Sequence, residues 1–153
     1  MELDRVDRSI LDFLQADGRI TNADLASQVG LSPSACHRRV RQLESEGVIE
    51  RYAALVDREI VGRGVSVFVE VSLESQREDV LDAFENSIRA VPDVMSCHLT
   101  AGNADYLIHV LCRDVADYES IHREHIAVLP GVTRLRSSFA IRTVTDTTAL
   151  PMD

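Results

Sequence analysis

Residues 21–47 read TNADLASQVGLSPSACHRRVRQLESEG. Thr21-Asn22-Ala23-Asp24 has a capping-box pattern, a hydroxyl acceptor with an acid three residues on. It opens a short helix carrying Leu25, Ala26 and Val29, which Gly30-Leu31-Ser32 breaks. Ser32 is placed to cap the next helix, with Pro33 in the first turn, where a missing N–H costs nothing. That helix runs to Gly47, a candidate left-handed terminator. Two short helices joined by a tight Gly-containing turn make the helix–turn–helix pattern. Upstream, Val6, Ile10, Phe13 and Leu14 form one apolar stripe on a further helix that stops at Gly18.

On the helix opened by Pro33, Ala35, Cys36, Val40 and Leu43 fall on one side and would pack on the two helices before it. Ser34, His37, Arg38 and Arg41 fall opposite. Residues 32–43 hold three Arg and no acid, a local charge of +3 in a chain of net −9. A guanidinium fork can take guanine O6 and N7 together, or a phosphate. The free N–H groups at a helix start also suit a phosphate. Charge alone leaves a solvated face on a three-helix bundle equally open. The capped preceding helix and the tight turn favour double-stranded DNA as the partner.

The chain as a whole narrows the choices. Its 153 residues fit one average domain or two small ones. At 45% hydrophobic and 27% charged it is too apolar for a disordered chain. No apolar run approaches the roughly 18 residues of a membrane span, so no membrane partner is expected. Met1-Glu2-Leu3-Asp4-Arg5 lacks a basic start followed by an apolar core, so a cytoplasmic location is expected. Cys36, Cys97 and Cys112 give no paired framework and no CxxC. Residues 1–51 hold seven Arg and nine acids, net −2, whereas residues 52–153 hold nine Arg and sixteen acids, net −7. A polyanion should therefore dock on the first third.

Beyond residue 64 the period changes to two. Val65, Val67, Val69, Val71 and Leu73 alternate with Ser66, Phe68, Glu70, Ser72 and Glu74, a half-buried strand. Residues 77–91 read as a helix, 94–101 and 105–112 as strands about a tight Gly102-Asn103-Ala104 turn, 115–128 as a helix and 132–144 as the last strand. The fold class is α+β. A three-helix helix–turn–helix domain (1–50) is followed by a hinge strand and linker (51–64). A ferredoxin-like βαββαβ sandwich completes the chain (65–153).

A ferredoxin-like sheet carries helices on one face only. Here Tyr106, Ile108 and Val110 alternate with Leu107 and Leu111, so both faces are apolar. Self-association covers the second face most economically, and packing by the first domain is the alternative. A two-fold dimer presents two recognition helices, which should sit about 34 Å apart on a palindromic site. Residues 100–106, Thr100-Ala101-Gly102-Asn103-Ala104-Asp105-Tyr106, allow close backbone approach. From the residues alone a plain hairpin turn is the favoured reading over a ligand site.

Several short motifs together resemble the Lrp/AsnC (leucine-responsive, or feast/famine) transcription regulators. They are Asp4-Arg5-Val6-Asp7-Arg8-x-Ile10-Leu11, Asp17-Gly18-Arg19-Ile20-Thr21-Asn22, Leu31-Ser32-Pro33-Ser34-x-Cys36 and Arg39-Val40-Arg41-x-Leu43-Glu44-x-x-Gly47. Downstream stand Gly102-x-x-Asp105-Tyr106, Leu129-Pro130-Gly131-Val132, Ser137-Ser138-Phe139 and Thr147-Thr148-x-Leu150-Pro151. The resemblance spans essentially the whole chain. It implies a winged or plain helix–turn–helix, a hinge strand, and a second domain that dimerises, often assembles to octamers and binds amino acids. It places Ser34, His37, Arg38 and Arg41 toward the groove and Ser32 and Asn22 against the DNA backbone. Tyr52-Ala53-Ala54-Leu55-Val56 would be a short strand pairing with its dimer mate. The effector residues it implies are Thr100, Ala101, Gly102, Asn103, Asp105, Tyr106, Ser137 and Ser138, with Asp105 taking an ammonium. Asn103 stands where family members often carry an acid.

The expected function is a sequence-specific transcription regulator responsive to an amino acid or related effector. An architectural DNA-compacting protein is the alternative. No nucleophile, base and orienter set appears, so no enzyme is expected. His122 and His125 have no third ligand nearby, and Cys97 and His98 point to opposite faces of a strand, so no metal or cofactor is expected.

Overall fold

The structure is a computed structural model that describes residues 2–152. Among these the chain divides into two compact units, one containing residues up to Leu55 together with those from Thr145, the other Val56–Val144.

The first, the reader unit, has helices α1 (Arg5–Ala16), α2 (Asn22–Val29) and α3 (Pro33–Ser45). Each N-terminus carries a side-chain cap: Asp4, Thr21 and Ser32 accept from Asp7, Asp24 and Ala35 N–H groups. Only Asp4 and Asp7 close a reciprocal capping box, with bonds of 2.8 and 3.1 Å. Thr21 does not, because its hydroxyl donates to the Asp24 carboxylate at 2.6 Å and the acid no longer reaches back to the backbone. Gly30 ends α2 in the left-handed region, φ +69°, which lets the chain turn sharply into α3. Ile10, Leu25, Ala26, Cys36 and Leu43 form the core. Burying the stripe common to the three helices supplies most of their stability. No strand follows α3 in this unit among the described residues.

The second unit runs β1 (Val65–Leu73), α4 (Glu78–Ile88), β2 (Val94–Leu99), β3 (Tyr106–Cys112), α5 (Val115–Ile121), a π-helical turn (His122–Ile126) and β4 (Val132–Phe139). The sheet order is β2-β3-β1-β4 with every neighbour antiparallel, the ferredoxin-like arrangement. Val67, Val69, Val71, Tyr106, Ile108 and Val110 are fully or almost fully buried beneath the helices with Phe84, Ile88, Ile121 and Ile126. The other face carries Phe68, Leu107, His109 and Glu70. Phe68 stacks on His109 at 4.7 Å, and His109 shares a hydrogen bond with Ser66.

Five boundaries differ from the sequence reading. Tyr52 to Val56 has no ladder partner among the described residues of this single chain, so it takes no strand conformation here. The last strand ends at Phe139 instead of 144: Phe139 pairs with Val67, so beyond residue 141 the chain would run past the start of β1 and find no partner there. The hairpin loop is residues 100–105, longer than a three-residue turn, closed by Thr100 N–H to the Asp105 carbonyl at 2.8 Å. The helix expected over 115–128 changes register at His122, whose carbonyl accepts from Ala127 at 2.8 Å. The last residues, read as part of the ferredoxin-like domain, belong to the reader unit.

Candidate functional site

Helical geometry builds the first candidate surface. Ser34, His37, Arg38 and Arg41 recur at steps of three, one and three, so they share one face, and all four are exposed. Cys36 and Leu43 on the opposite side are completely buried. Ser32 is exposed at the N-cap, its hydroxyl accepting from Ala35 N–H at 3.3 Å. Asn22 is half-buried, and its amide donates to the Pro33 carbonyl at 2.8 Å. That bond braces the start of α2 against the start of α3.

The expected local charge of +3 is not presented outward. Arg39 Nη1 lies 2.8 Å from both the Asp4 and the Asp7 carboxylates, and Asp7 is only 4% exposed. The capping bond from Asp7 N–H, then the Arg39 bond, hold the Asp4 carboxyl below the ordinary carboxylate range. Arg39 is therefore a clamp from α3 to the start of α1. Arg41 keeps a solvent-exposed pair with Glu44 at 3.3 Å. Such a pair exchanges readily for a phosphate. Glu44 also accepts from the Tyr52 hydroxyl at 3.1 Å. Arg38 has no charged partner among the described residues and projects to solvent.

The second candidate is the loop of residues 100–105. Thr100, Ala101, Gly102 and Asn103 are exposed, and the Thr100 hydroxyl donates to the Ala104 carbonyl at 2.9 Å. Among the described residues, no hydrogen bond within the chain takes the N–H of Ala101, Gly102, Asn103 or Ala104. Four residues expected in this site are held or directed elsewhere. Both oxygens of Asp105 are already engaged, one by Leu73 N–H at 2.7 Å and the other by the Gln76 amide at 2.8 Å. Tyr106 is 1% exposed, packs on Phe84 at 4.6 Å and donates its hydroxyl to Glu85 at 2.8 Å. Burial, then Glu85, pushes that hydroxyl far above its usual pKa. Ser137 faces the helices, sharing a hydrogen bond with the Tyr118 hydroxyl, whereas Ser138 pairs with Phe68 and takes the open face. Consecutive strand residues cannot line one pocket. Both also sit two strands from β3, roughly 10 Å away.

Beside the loop, between α4 and β2, lies a cavity of about 340 Å³. Ile88, Met95 and Leu99 give it apolar walls, and Glu85, Arg89 and the Tyr106 hydroxyl a polar corner. Arg89 Nη2 lies 3.3 Å from Glu85. Sequence reading missed this corner. Its available signal was Glu85 and Arg89 at helical i, i+4 spacing above a strand of alternating apolar residues. Among the described residues, no three His, Cys, Asp or Glu side chains cluster to hold a metal ion. None of the described helices is long and apolar enough to cross a membrane.

These features define a DNA-reading domain joined to a small-ligand domain, and comparison with known proteins agrees. Residues 3–50 match the winged helix-turn-helix DNA-binding model and residues 66–150 the Lrp/AsnC ligand binding domain. The chain belongs to the Lrp/AsnC family of DNA-binding transcriptional regulators. It is similar to the Bkd operon transcriptional regulator of Pseudomonas aeruginosa, 44% identical over 151 residues and 99% of each chain. It is also 40% identical to the leucine-responsive regulatory protein of Escherichia coli K12, over 89% of this chain and 83% of that one. Among solved structures, a transcriptional regulator of Neisseria meningitidis in complex with L-methionine superposes with a TM-score of 0.94 at 37% identity, covering 99% of this chain and 98% of that one. The likenesses support a regulator with an effector-binding domain and not the architectural alternative.

Proposed function

We propose that this regulator binds a palindromic operator as a homodimer in the cytoplasm and answers to a free amino acid. The observation that carries the DNA part is the outer face of α3, which holds no acid before Glu44, with Arg38 unpaired among the described residues and Arg41 in an exchangeable pair. Ser34 and His37 offer hydrogen bonds on the same face, while Ser32 and Asn22 stand where the helix N-terminus would meet a phosphate. Two such faces are needed, since one small cationic patch binds weakly at physiological salt. The open sheet face, with Phe68 42% and Leu107 37% exposed, supplies an apolar surface for a second copy. Tyr52 to Val56 is a segment that a mate could pair as a strand, and further assembly to an octamer fits the same family plan.

The effector's carboxylate would meet the free N–H groups of Ala101, Gly102, Asn103 and Ala104, with the Thr100 hydroxyl beside them. Asp105, engaged twice, shapes this loop and offers an ammonium only its remaining lone pairs. Tyr106 contributes through the floor of the neighbouring cavity. Ser137 and Ser138 could join such a site only if carried by another copy. Effector binding changes DNA affinity by its differential affinity for two assembly or spacing states.

The test is footprinting on the DNA upstream of the chain's own gene, with each amino acid added in turn. A protected, symmetric site whose affinity or extent shifts with one amino acid is the expected result. Uniform, sequence-independent coverage that no amino acid alters would overturn the proposal.

A further inference from the structure

A shallow concavity on the second half of α3 is lined by Arg38, Arg41, Gln42, Glu44 and Ser45. Most of these side chains are already committed. Arg41 and Glu44 face each other at 3.3 Å, and Glu44 also accepts from the Tyr52 hydroxyl at 3.1 Å. The Ser45 hydroxyl donates to the Gln42 carbonyl at 3.0 Å. Arg38 and Gln42 are left. Both are exposed, and among the described residues neither side chain makes a hydrogen bond or an ion pair. The backbone of Gln42 is engaged, since its carbonyl also accepts the Glu46 N–H at 2.9 Å. Its side-chain amide therefore stands free on a fixed stretch of helix, one turn after Arg38.

Side chains one turn apart stand next to each other, with Cβ atoms about 5–6 Å apart. These two carry the pair of forks that read purines in the major groove. A guanidinium donates to guanine O6 and N7, whereas a primary amide donates to adenine N7 and accepts from adenine N6–H. Gln42 is uncharged, so it adds little to the sequence-independent pull on phosphates; what it can add is discrimination between bases. We infer that Gln42 is a second base-reading residue of α3, selecting an adenine near the guanine taken by Arg38. The inference rests on α3 being the helix that enters the groove. From Arg38 to Gln42 the helix axis advances about 6 Å, and successive bases on a strand are about 3.4 Å apart. The adenine therefore falls about two steps from the guanine.

The test is selection of bound duplexes from a pool with a randomised core, by the full-length parent, Gln42→Arg and Arg38→Ala. The parent should recover a site holding a guanine and, about two steps away, an adenine. Gln42→Arg should replace that adenine by guanine and keep the other positions. Arg38→Ala should lose the guanine and keep the adenine. Titration on the recovered site gives the size of the effect. Changing the A·T pair once should weaken the parent about five-fold or more, and the same change should weaken Gln42→Ala by less than about two-fold. Since both side chains are exposed and untied, every variant should keep the parent's melting temperature; a lower one contradicts a free Gln42 and overturns the inference. Recovery of the parent's site by Gln42→Arg, bound equally or more tightly, also overturns it, because position 42 then meets phosphate or solvent. If Arg38→Ala recovers the parent's site as well, or if the parent's duplexes share no sequence, α3 does not read bases and the DNA part of the proposed function falls too.

Discussion

The outer face of α3 and the 100–105 loop are both short surface segments proposed to meet a partner, yet they treat their side chains differently. In α3 the backbone is satisfied by the helix itself, so Ser34, His37, Arg38 and Arg41 all stay exposed. The hairpin loop has no such internal ladder. Asp105 is drawn to Leu73 and Gln76, the Thr100 hydroxyl to the Ala104 carbonyl, and Tyr106 into the core. What remains outward in the loop is backbone. A helix can offer side chains to a ligand, whereas this loop can offer mainly N–H groups.

The sharpest way to break that comparison lies within α3, between two adjacent arginines. Arg38→Ala should weaken operator binding by about thirty-fold or more, since each chain of the proposed dimer loses a contact of about 1–3 kcal/mol, about 2 kcal/mol at the least for the pair. Its melting temperature should match the parent's. Arg39→Ala should instead lower the stability of the reader by about 2 kcal/mol. That is below the ~3–5 kcal/mol of a fully buried pair, because Arg39 is partly exposed. Thermal unfolding and DNA titration of the two variants distinguish the roles; interchanged phenotypes would refute the assignment.

Asp105→Asn sharpens the other side. If the carboxylate is a loop clamp, the substitution should cost about 1 kcal/mol in the ferredoxin-like unit and reduce effector affinity only in proportion to the loosened loop. Calorimetric titration showing complete loss of effector binding at unchanged stability would instead make Asp105 the ammonium acceptor.

A smaller effect concerns acid. Hydrogen bonds from the Arg113 guanidinium, then from Arg113 N–H, hold the Asp117 carboxyl at about 2, below its ordinary 3.8. A depressed carboxyl contributes its stability fully above the unfolded value and loses it as pH falls through the folded one. The stability difference between the parent and Asp117→Asn should thus be constant near neutrality and shrink as pH drops from 3.8 toward about 2. A difference that is unchanged across that window would contradict the pairing.

The legible parts of the molecule are those set by local periodicity. The three reader helices, the Ser32 cap, the Gly30 stop and the alternation of β1 all follow from spacing that a single segment carries. The sheet order follows once βαββαβ is recognised. What could not be read depends on distant partners. Arg39 is one step from Arg38 in sequence, and only the arrival of Asp4 and Asp7 turns it inward. Asp105 and Gln76 meet across 29 residues, and Gln15 and Leu150 across 135. Ser137 and Ser138 enter through the family resemblance, and strand alternation puts them on opposite faces of the sheet.

The division of labour between Arg38 and Arg39 has a consequence for how such proteins diversify. One residue faces out and carries no tie to the rest of the fold among the described residues; its neighbour faces in and is tied to Asp4 and Asp7. Substitutions that redirect the outer position toward a new target sequence leave the inner tie intact. A duplicated copy of this gene can therefore drift to a different regulon without first passing through a misfolded ancestor.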